Sequence, residues 1–157
     1  MLRAIALTAV VVAAGCGAPE QASPPEPEQA AAPVEQIRDE THRFRKEGLV
    51  EAKVVPNNLA GKDFMPGGNF AEYEKDGKKY QVFFTVRRNA EVATFLAMDY
   101  KAILSDAKFI PHFGGYFGMD GETPTFIFPK QKYVVGITGL DQEDADQAGR
   151  VIAGYLN

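Results

Sequence analysis

Two strand–strand–helix patterns follow one another along this sequence and constrain its fold class. Residues 70–74 and 79–86 flank Asp76-Gly77, a pair typical of tight hairpins, and residues 125–128 and 133–138 flank a second turn at 129–131. Asn89 and Asp141 stand where a side-chain oxygen can cap a helix after each hairpin. Short connections favour antiparallel pairing. We therefore predict an α+β fold: a mostly antiparallel sheet of about five to six strands, with helices packed on one face.

The two hairpins coincide when the chain is shifted by 53 residues, which places Val82 on Val135 and Thr85 on Thr138. A diglycine also precedes each hairpin, Gly67-Gly68 and Gly114-Gly115, although the offset there is 47. One interpretation is a degenerate strand–strand–helix repeat. The other is that amphipathic hairpins resemble one another because alternation and turn residues force similarity.

Periodicity places the remaining elements. An early helix is predicted from an apolar stripe that ends before Gly48. Strands are predicted over 49–56 and 109–117, and a loop is predicted over 57–68. The apolar stripes of the three helices consist of Val34, Ile37, Thr41 and Phe44; of Val92, Phe95, Leu96, Ile103 and Leu104; and of Ala148, Val151, Ile152, Tyr155 and Leu156.

Composition changes sharply at residue 34. Residues 17–33 read GAPEQASPPEPEQAAAP and contain five of the ten prolines, without an aromatic or large aliphatic side chain. Such a segment cannot offset its ordering entropy, so we expect a disordered tether over 16–33. Residues 34–157 have the length of one domain with a core of its own.

The first fifteen residues have the pattern of an export signal. A short start with Arg3 precedes an apolar run over 4–14, which is too short to span a bilayer core of about 20 residues. Residues 13–16, Ala-Ala-Gly-Cys, resemble the lipobox of bacterial lipoproteins, with Ala13 where Leu is usual. The resemblance implies cleavage of residues 1–15 and lipid attachment to Cys16.

The position of the chain in the cell follows from the same resemblance. Gly17, rather than Asp, follows the cysteine, which favours the outer membrane, facing the periplasm, where the organism has two membranes. Cys16 is the only cysteine, so an internal disulfide is excluded. The formal charge is −4, and cleavage removes Arg3. A mildly acidic chain is a poor nucleic-acid ligand, and its sequence contains no polybasic run suited to a second membrane contact.

Motifs for catalysis are weak. His42 and His112 lack partners at metal-ligand spacing, Ser105 lies outside a nucleophile elbow, and an acylated Cys16 cannot act as a nucleophile. No metal or cofactor is therefore predicted. An enzymatic alternative remains open: a small envelope hydrolase or lyase that uses His112 with Asp120 or Glu122 as acid–base partner.

The main binding hypothesis rests on residues 109–124, which crowd aromatic side chains among glycines. Glycine permits close approach of a ligand, and aromatic rings provide contact area at low entropic cost. The predicted ligand-binding residues are His112, Phe113, Tyr116, Phe117 and Met119. The competing interpretation is that these rings fill the core. We expect a non-catalytic envelope lipoprotein that binds a protein, a glycan or a small apolar ligand, or that acts as an assembly subunit.

Overall fold

The computed structural model describes residues 37–156; the predicted signal, Cys16, the tether and Val34 lie outside them. Within this range no helix combines the length and apolarity needed to cross a bilayer. The strands are β1 (Leu49–Asn57), β2 (Pro66–Lys75), β3 (Lys78–Val86), β4 (Ser105–Ile110), β5 (Gly115–Asp120), β6 (Thr123–Lys130) and β7 (Tyr133–Thr138), and the helices are α1 (Ala90–Ala102) and α2 (Gln142–Tyr155).

The α+β class and the antiparallel pairing are confirmed. The strands form one seven-stranded sheet in the order β1-β2-β3-β7-β6-β5-β4, and every neighbouring pair is antiparallel. The count of five to six strands is wrong by one because the interrupted segment 109–117 forms parts of two strands. Gly114, with φ +63°, makes the turn between β4 and β5.

The prediction that the helices share one face of the sheet is wrong. α1 packs on Phe83, Ile127 and Val134, while α2 packs on the opposite side of the same three strands. Successive strand residues point to opposite faces, so Phe84, Phe126 and Val135 meet α2. The central strands therefore lie between two helical layers, the α1 face and the α2 face.

The buried side of α1 also differs from the predicted stripe. Ala93, Ala97 and Tyr100 are buried, whereas Phe95 is 57% exposed. Small residues on the inner side let the helix approach the large side chains of the sheet closely, because interiors are packed to high density. In α2 the inner side consists of Ala145, Gly149 and Ile152, so the predicted stripe is right only in part.

The predicted first helix is absent from the described part of its range, which contains only a 3-10 turn over Thr41–Arg43. Tertiary hydrogen bonds replace the helical ones. The buried side chain of Asn69 accepts from the backbone N–H of Glu40 at 2.8 Å and donates to the carbonyl of Arg38 at 3.0 Å. Phe44 then packs on Phe84 with ring centroids 4.9 Å apart, so this segment covers part of the α2 face.

The two hairpins do repeat in the sheet, but with a different offset. Their closing pairs, Lys75 with Lys78 and Lys130 with Tyr133, are 55 residues apart rather than 53. The same offset makes the pairing of β3 with β7 symmetrical about Val82 and Ile137. The helices break this symmetry because they lie on opposite faces. The diglycines do not correspond either, since Gly67-Gly68 lies in β2 while Gly114-Gly115 joins the β4–β5 turn to the start of β5, and β2 matches β6.

Candidate functional site

The five residues predicted to bind ligand do not share a surface. Phe113 packs edge-on against Phe126, with ring centroids 5.0 Å apart, on the α2 face. Tyr116 points to the α1 face, and its ring centroid lies 5.3 Å from that of Phe109. Phe117 pairs across the strands with Phe126 on the α2 face, and Met119, two residues further along β5, points to the same face, while His112 is exposed in the preceding turn. The rings mostly complete the core, as the competing interpretation predicted.

The glycines of this segment allow neighbouring strands to approach closely. A Cβ atom on Gly115 would lie 2.5 Å from the carbonyl oxygen of Ile127, and one on Gly118 would lie 2.8 Å from that of Ser105. Both separations are below any normal contact, so these positions exclude side chains to keep the sheet close-packed.

His112 has a carboxylate partner, but it is neither Asp120 nor Glu122. Its Nε2 contacts Oδ2 of Asp146 on α2, and Oδ1 of Asp146 accepts from Nε of Arg150 at 2.6 Å. Burial opposes ionisation of Asp146, yet these two partners hold its pKa below the usual value. The adjoining cavity has about 10 Å³, which is room for about one water molecule rather than a substrate.

Asp120 has a structural environment of its own on the α1 face. Its carboxylate accepts from Lys62 Nζ at 2.8 Å and from the hydroxyl of Tyr100 at 3.2 Å. Burial, reinforced by this carboxylate, raises the pKa of Tyr100. His112 and Asp120 therefore belong to opposite faces, and the chain does not bring them together as an acid–base pair.

A concave surface lies between α2 and the β2–β3 hairpin. This tyrosine cleft has a volume of about 320 Å³. Its floor is the pair Tyr73 and Tyr80, whose rings stack with centroids 5.1 Å apart and planes 9° apart. Cross-strand pairing creates the stack, because Tyr73 faces Tyr80 directly in the register of β2 and β3. The apolar wall of the cleft consists of Val82, Leu140, Ala148, Val151 and Ile152.

Backbone contacts fix the floor. The hydroxyl of Tyr73 donates to the carbonyl of Arg45 at 2.9 Å, which ties the segment before β1 to the edge of the cleft. Burial raises the pKa of Tyr73 and of Tyr80, so both rings are neutral around pH 7.

The rim of the cleft is charged but internally compensated. Arg45 and Lys75 pair with Glu47, and Lys78 pairs with Asp144 at the start of α2. The hydrogen bond to Asp144 raises the pKa of Lys78. A neutral aromatic floor within a balanced rim suits the apolar body of a ligand better than a strongly charged group.

Sequence analysis missed this cleft because its lining comes from distant segments. The sheet register places Tyr73 opposite Tyr80, and the placement of α2 above them depends on tertiary packing. In residues 37–156 no group of three histidine, cysteine or carboxylate side chains is arranged to hold a metal ion. Comparison with known proteins adds no relative: no family model, curated protein or solved structure matches the chain.

Proposed function

We propose that this chain is an envelope lipoprotein, anchored through lipid on Cys16, whose domain is a non-catalytic binding module. The tyrosine cleft is the contact site, in place of the loop predicted from the sequence. The observation that carries the proposal is an open apolar cavity of about 320 Å³ over a neutral tyrosine floor. Small-molecule sites typically begin near about 300 Å³, so the cleft has the size for one small ligand or one apolar segment of a larger partner.

The composition of the cleft supports an apolar ligand among the alternatives of protein, glycan and small molecule. Val151, at 37% exposure, and the face of α2 beside it offer aliphatic surface to a bound group. Rim charges that already pair within the domain contribute little to a ligand of one sign. The tether then lets the domain search for its ligand around the anchor, on the outer membrane if the organism has two membranes.

Filling the cleft tests the binding role. The fluorescent probe 1-anilinonaphthalene-8-sulfonate binds exposed apolar cavities, and we expect saturable binding to the folded chain. Ala148→Phe places a ring in the cleft and should abolish that binding. Ala102→Phe, at the exposed end of α1, is the matched control and should leave binding unchanged. Equal binding by both variants, with intact circular dichroism, would exclude the cleft as the site.

Replacing the lipid-bearing cysteine tests the anchor. Cys16→Ala should leave the signal uncleaved or shift the protein from the membrane fraction to a soluble fraction, because several acyl chains bury many methylenes at about 0.8 kcal/mol each. Cell fractionation with mass spectrometry of the N-terminus measures both. Normal cleavage with unchanged membrane retention would contradict acylation at Cys16.

A further inference from the structure

Cations from three separate segments converge at one end of the sheet. They are Arg38 and Arg43 from the segment before β1, Arg87 and Arg88 from the β3–α1 connection, and Lys130 and Lys132 from the β6–β7 turn. We call this set the basic end. Each segment contributes two cations, and the fold brings the three segments together.

Strand register fixes the position of each cation. Val86, the last residue of β3, pairs with Tyr133, and Tyr133 pairs with Lys130 across the β6–β7 turn. The backbone N–H of Arg87 donates to the carbonyl of Lys132 at 2.7 Å. The two connections therefore lie side by side.

The segment before β1 joins them there. Asn69 holds the carbonyl of Arg38 at 3.0 Å, and Asn69 is paired with Phe84 near the end of β3. The guanidinium of Arg43 lies 5.9 Å from the ring centroid of Tyr133, and the ammonium of Lys132 lies 5.8 Å from it. Both charges thus flank the same ring.

Among the described residues, this end has fewer acids than cations: Asp39 and Glu40 lie before β1, and Glu91 lies in the first turn of α1. Arg43 pairs with the buried Glu40, whose carboxylate is 2.7 Å from its Nε. Arg38, Arg88, Lys130 and Lys132 make no ion pair with another described residue.

The opposite end of the sheet carries charges of both signs. Acids in its turns and at the start of α2 (Asp76, Glu122, Asp141, Glu143 and Asp144) lie there together with Lys75, Lys78 and Lys79 of the β2–β3 hairpin. Each of these three lysines pairs with an acid, in contrast to Arg88, Lys130 and Lys132 at the basic end.

The chain enters the described domain at the basic end. Ile37 lies against Gly67 at the start of β2, and residues 1–36 precede it. Ile37 is 36% exposed, and Tyr155, whose carbonyl accepts from Arg43 at 2.7 Å, is 50% exposed. This end therefore combines cations, exposed apolar side chains and the attachment of the tether.

We propose that the basic end docks on the anionic phospholipid headgroups of the membrane that holds the anchor. The inference uses the lipid anchor of the proposed function but not the cleft. Each cation near an anionic bilayer contributes an attraction that decays within a Debye length, and the acids at the opposite end of the sheet would be turned away from the same surface. Docking would orient the cleft, which lies near that opposite end, toward the aqueous side.

A single tryptophan reports docking, because the chain has none of its own. The full chain carrying Tyr155→Trp is placed on vesicles of phosphatidylcholine alone or mixed with phosphatidylglycerol, each containing a spin-labelled lipid that quenches tryptophan. Val50→Trp, at a site 64% exposed near the other end of the sheet, is the positional control. In the Tyr155→Trp chain we expect quenching only on phosphatidylglycerol vesicles, weakening as salt is raised. The Val50→Trp chain should show little quenching on either kind of vesicle.

Charge variants complete the test in the Tyr155→Trp chain. Arg88→Gln with Lys132→Gln should lower the ratio of docked to free domain about 25-fold, at about fivefold for each cation. Lys46→Gln with Lys79→Gln removes the same charge from exposed sites elsewhere and should change the ratio less than twofold.

Three outcomes would overturn docking: equal quenching on neutral vesicles, equal losses in the two double variants, or retention on heparin without quenching on vesicles. Flotation of the chain with vesicles is read separately and reports the anchor. Lost flotation would count against the lipoprotein assignment, whereas flotation without quenching would count against docking alone.

Discussion

Gly136→Ala tests the finding that α1 and α2 seal opposite faces of the sheet. Gly136 pairs with Phe83 across β7 and β3, and the Phe83 ring lies flat over the glycine. A Cβ atom there would be 2.5 Å from Cε1 of that ring and closer still to Cζ. Carbon atoms pack best at about 3.5–4.0 Å, so the ring would have to move by roughly 1 Å or more.

The ring has no space to move into. Phe83 is fully buried, and Tyr100 of α1 lies above it with ring centroids 5.9 Å apart. Overpacking of this kind typically costs about 1–3 kcal/mol. Replacing a strand glycine by alanine recovers about 0.5–1 kcal/mol of backbone entropy, so we expect a net loss of about 1–2 kcal/mol in the free energy of unfolding.

Urea denaturation followed by circular dichroism measures the loss. Gly154→Ala is the control of opposite sign: a Cβ atom there meets nothing within 4 Å, and alanine in a helix gains up to about 1 kcal/mol over glycine. Phe83→Leu should make Gly136→Ala less costly in a double-mutant cycle. If Gly136→Ala were neutral while Gly154→Ala stabilised the protein, α1 would not be pressing the ring onto the strand.

Two further changes probe buried polar groups. Asn69→Ala should lower the free energy of unfolding by about 1–3 kcal/mol, because it leaves the N–H of Glu40 and the carbonyl of Arg38 without their partner. Faster hydrogen exchange at the amide of Glu40 would confirm that this lost hydrogen bond is the cause. Alkaline pH should unfold the domain. Burial raises the pKa of Tyr73 and Tyr100, whereas unfolded tyrosine ionises near about pH 10. The contribution of these two rings to the free energy of unfolding is therefore fully present below that pH and is lost as the pH rises above it. Tyrosinate absorbance should rise together with the loss of circular dichroism. Ionisation of both rings in an intact fold would contradict the burial argument.

Features governed by neighbours in sequence were predictable. The side-chain oxygen of Asn89 accepts from the N–H of Val92 at 2.9 Å, and that of Asp141 accepts from Asp144 at 3.0 Å, as the capping patterns indicated. The turn at Asp76 likewise forms where its Asp-Gly pair predicted it, since both residues adopt positive φ. Such contacts span only a few residues, so no knowledge of the tertiary fold is needed to foresee them.

The layering of the helices was not predicted, although the strands carry a signal for it. Three strands contain consecutive apolar residues that are buried whichever face of the sheet they point to: residues 82–84, 126–128 and 133–135. This is the pattern of strands that are covered on both faces. Helix periodicity cannot supply this information, because it shows which side of a helix is apolar but not which side of a sheet it will cover. Continuous apolar runs in three strands are therefore the better guide to the layering than alternation in the hairpins.

Both surfaces proposed to act arise from residues that are far apart in the sequence. The cleft needs Tyr73 and Tyr80 under α2, and the basic end needs Arg38, Arg88 and Lys132 at one end of the sheet. A net charge of −4 averages over the whole chain and conceals this local cluster of cations. The electric field that an approaching membrane meets depends on which charges lie within about 10 Å of its surface, so the fold rather than the composition decides whether an acidic chain can dock on an anionic bilayer.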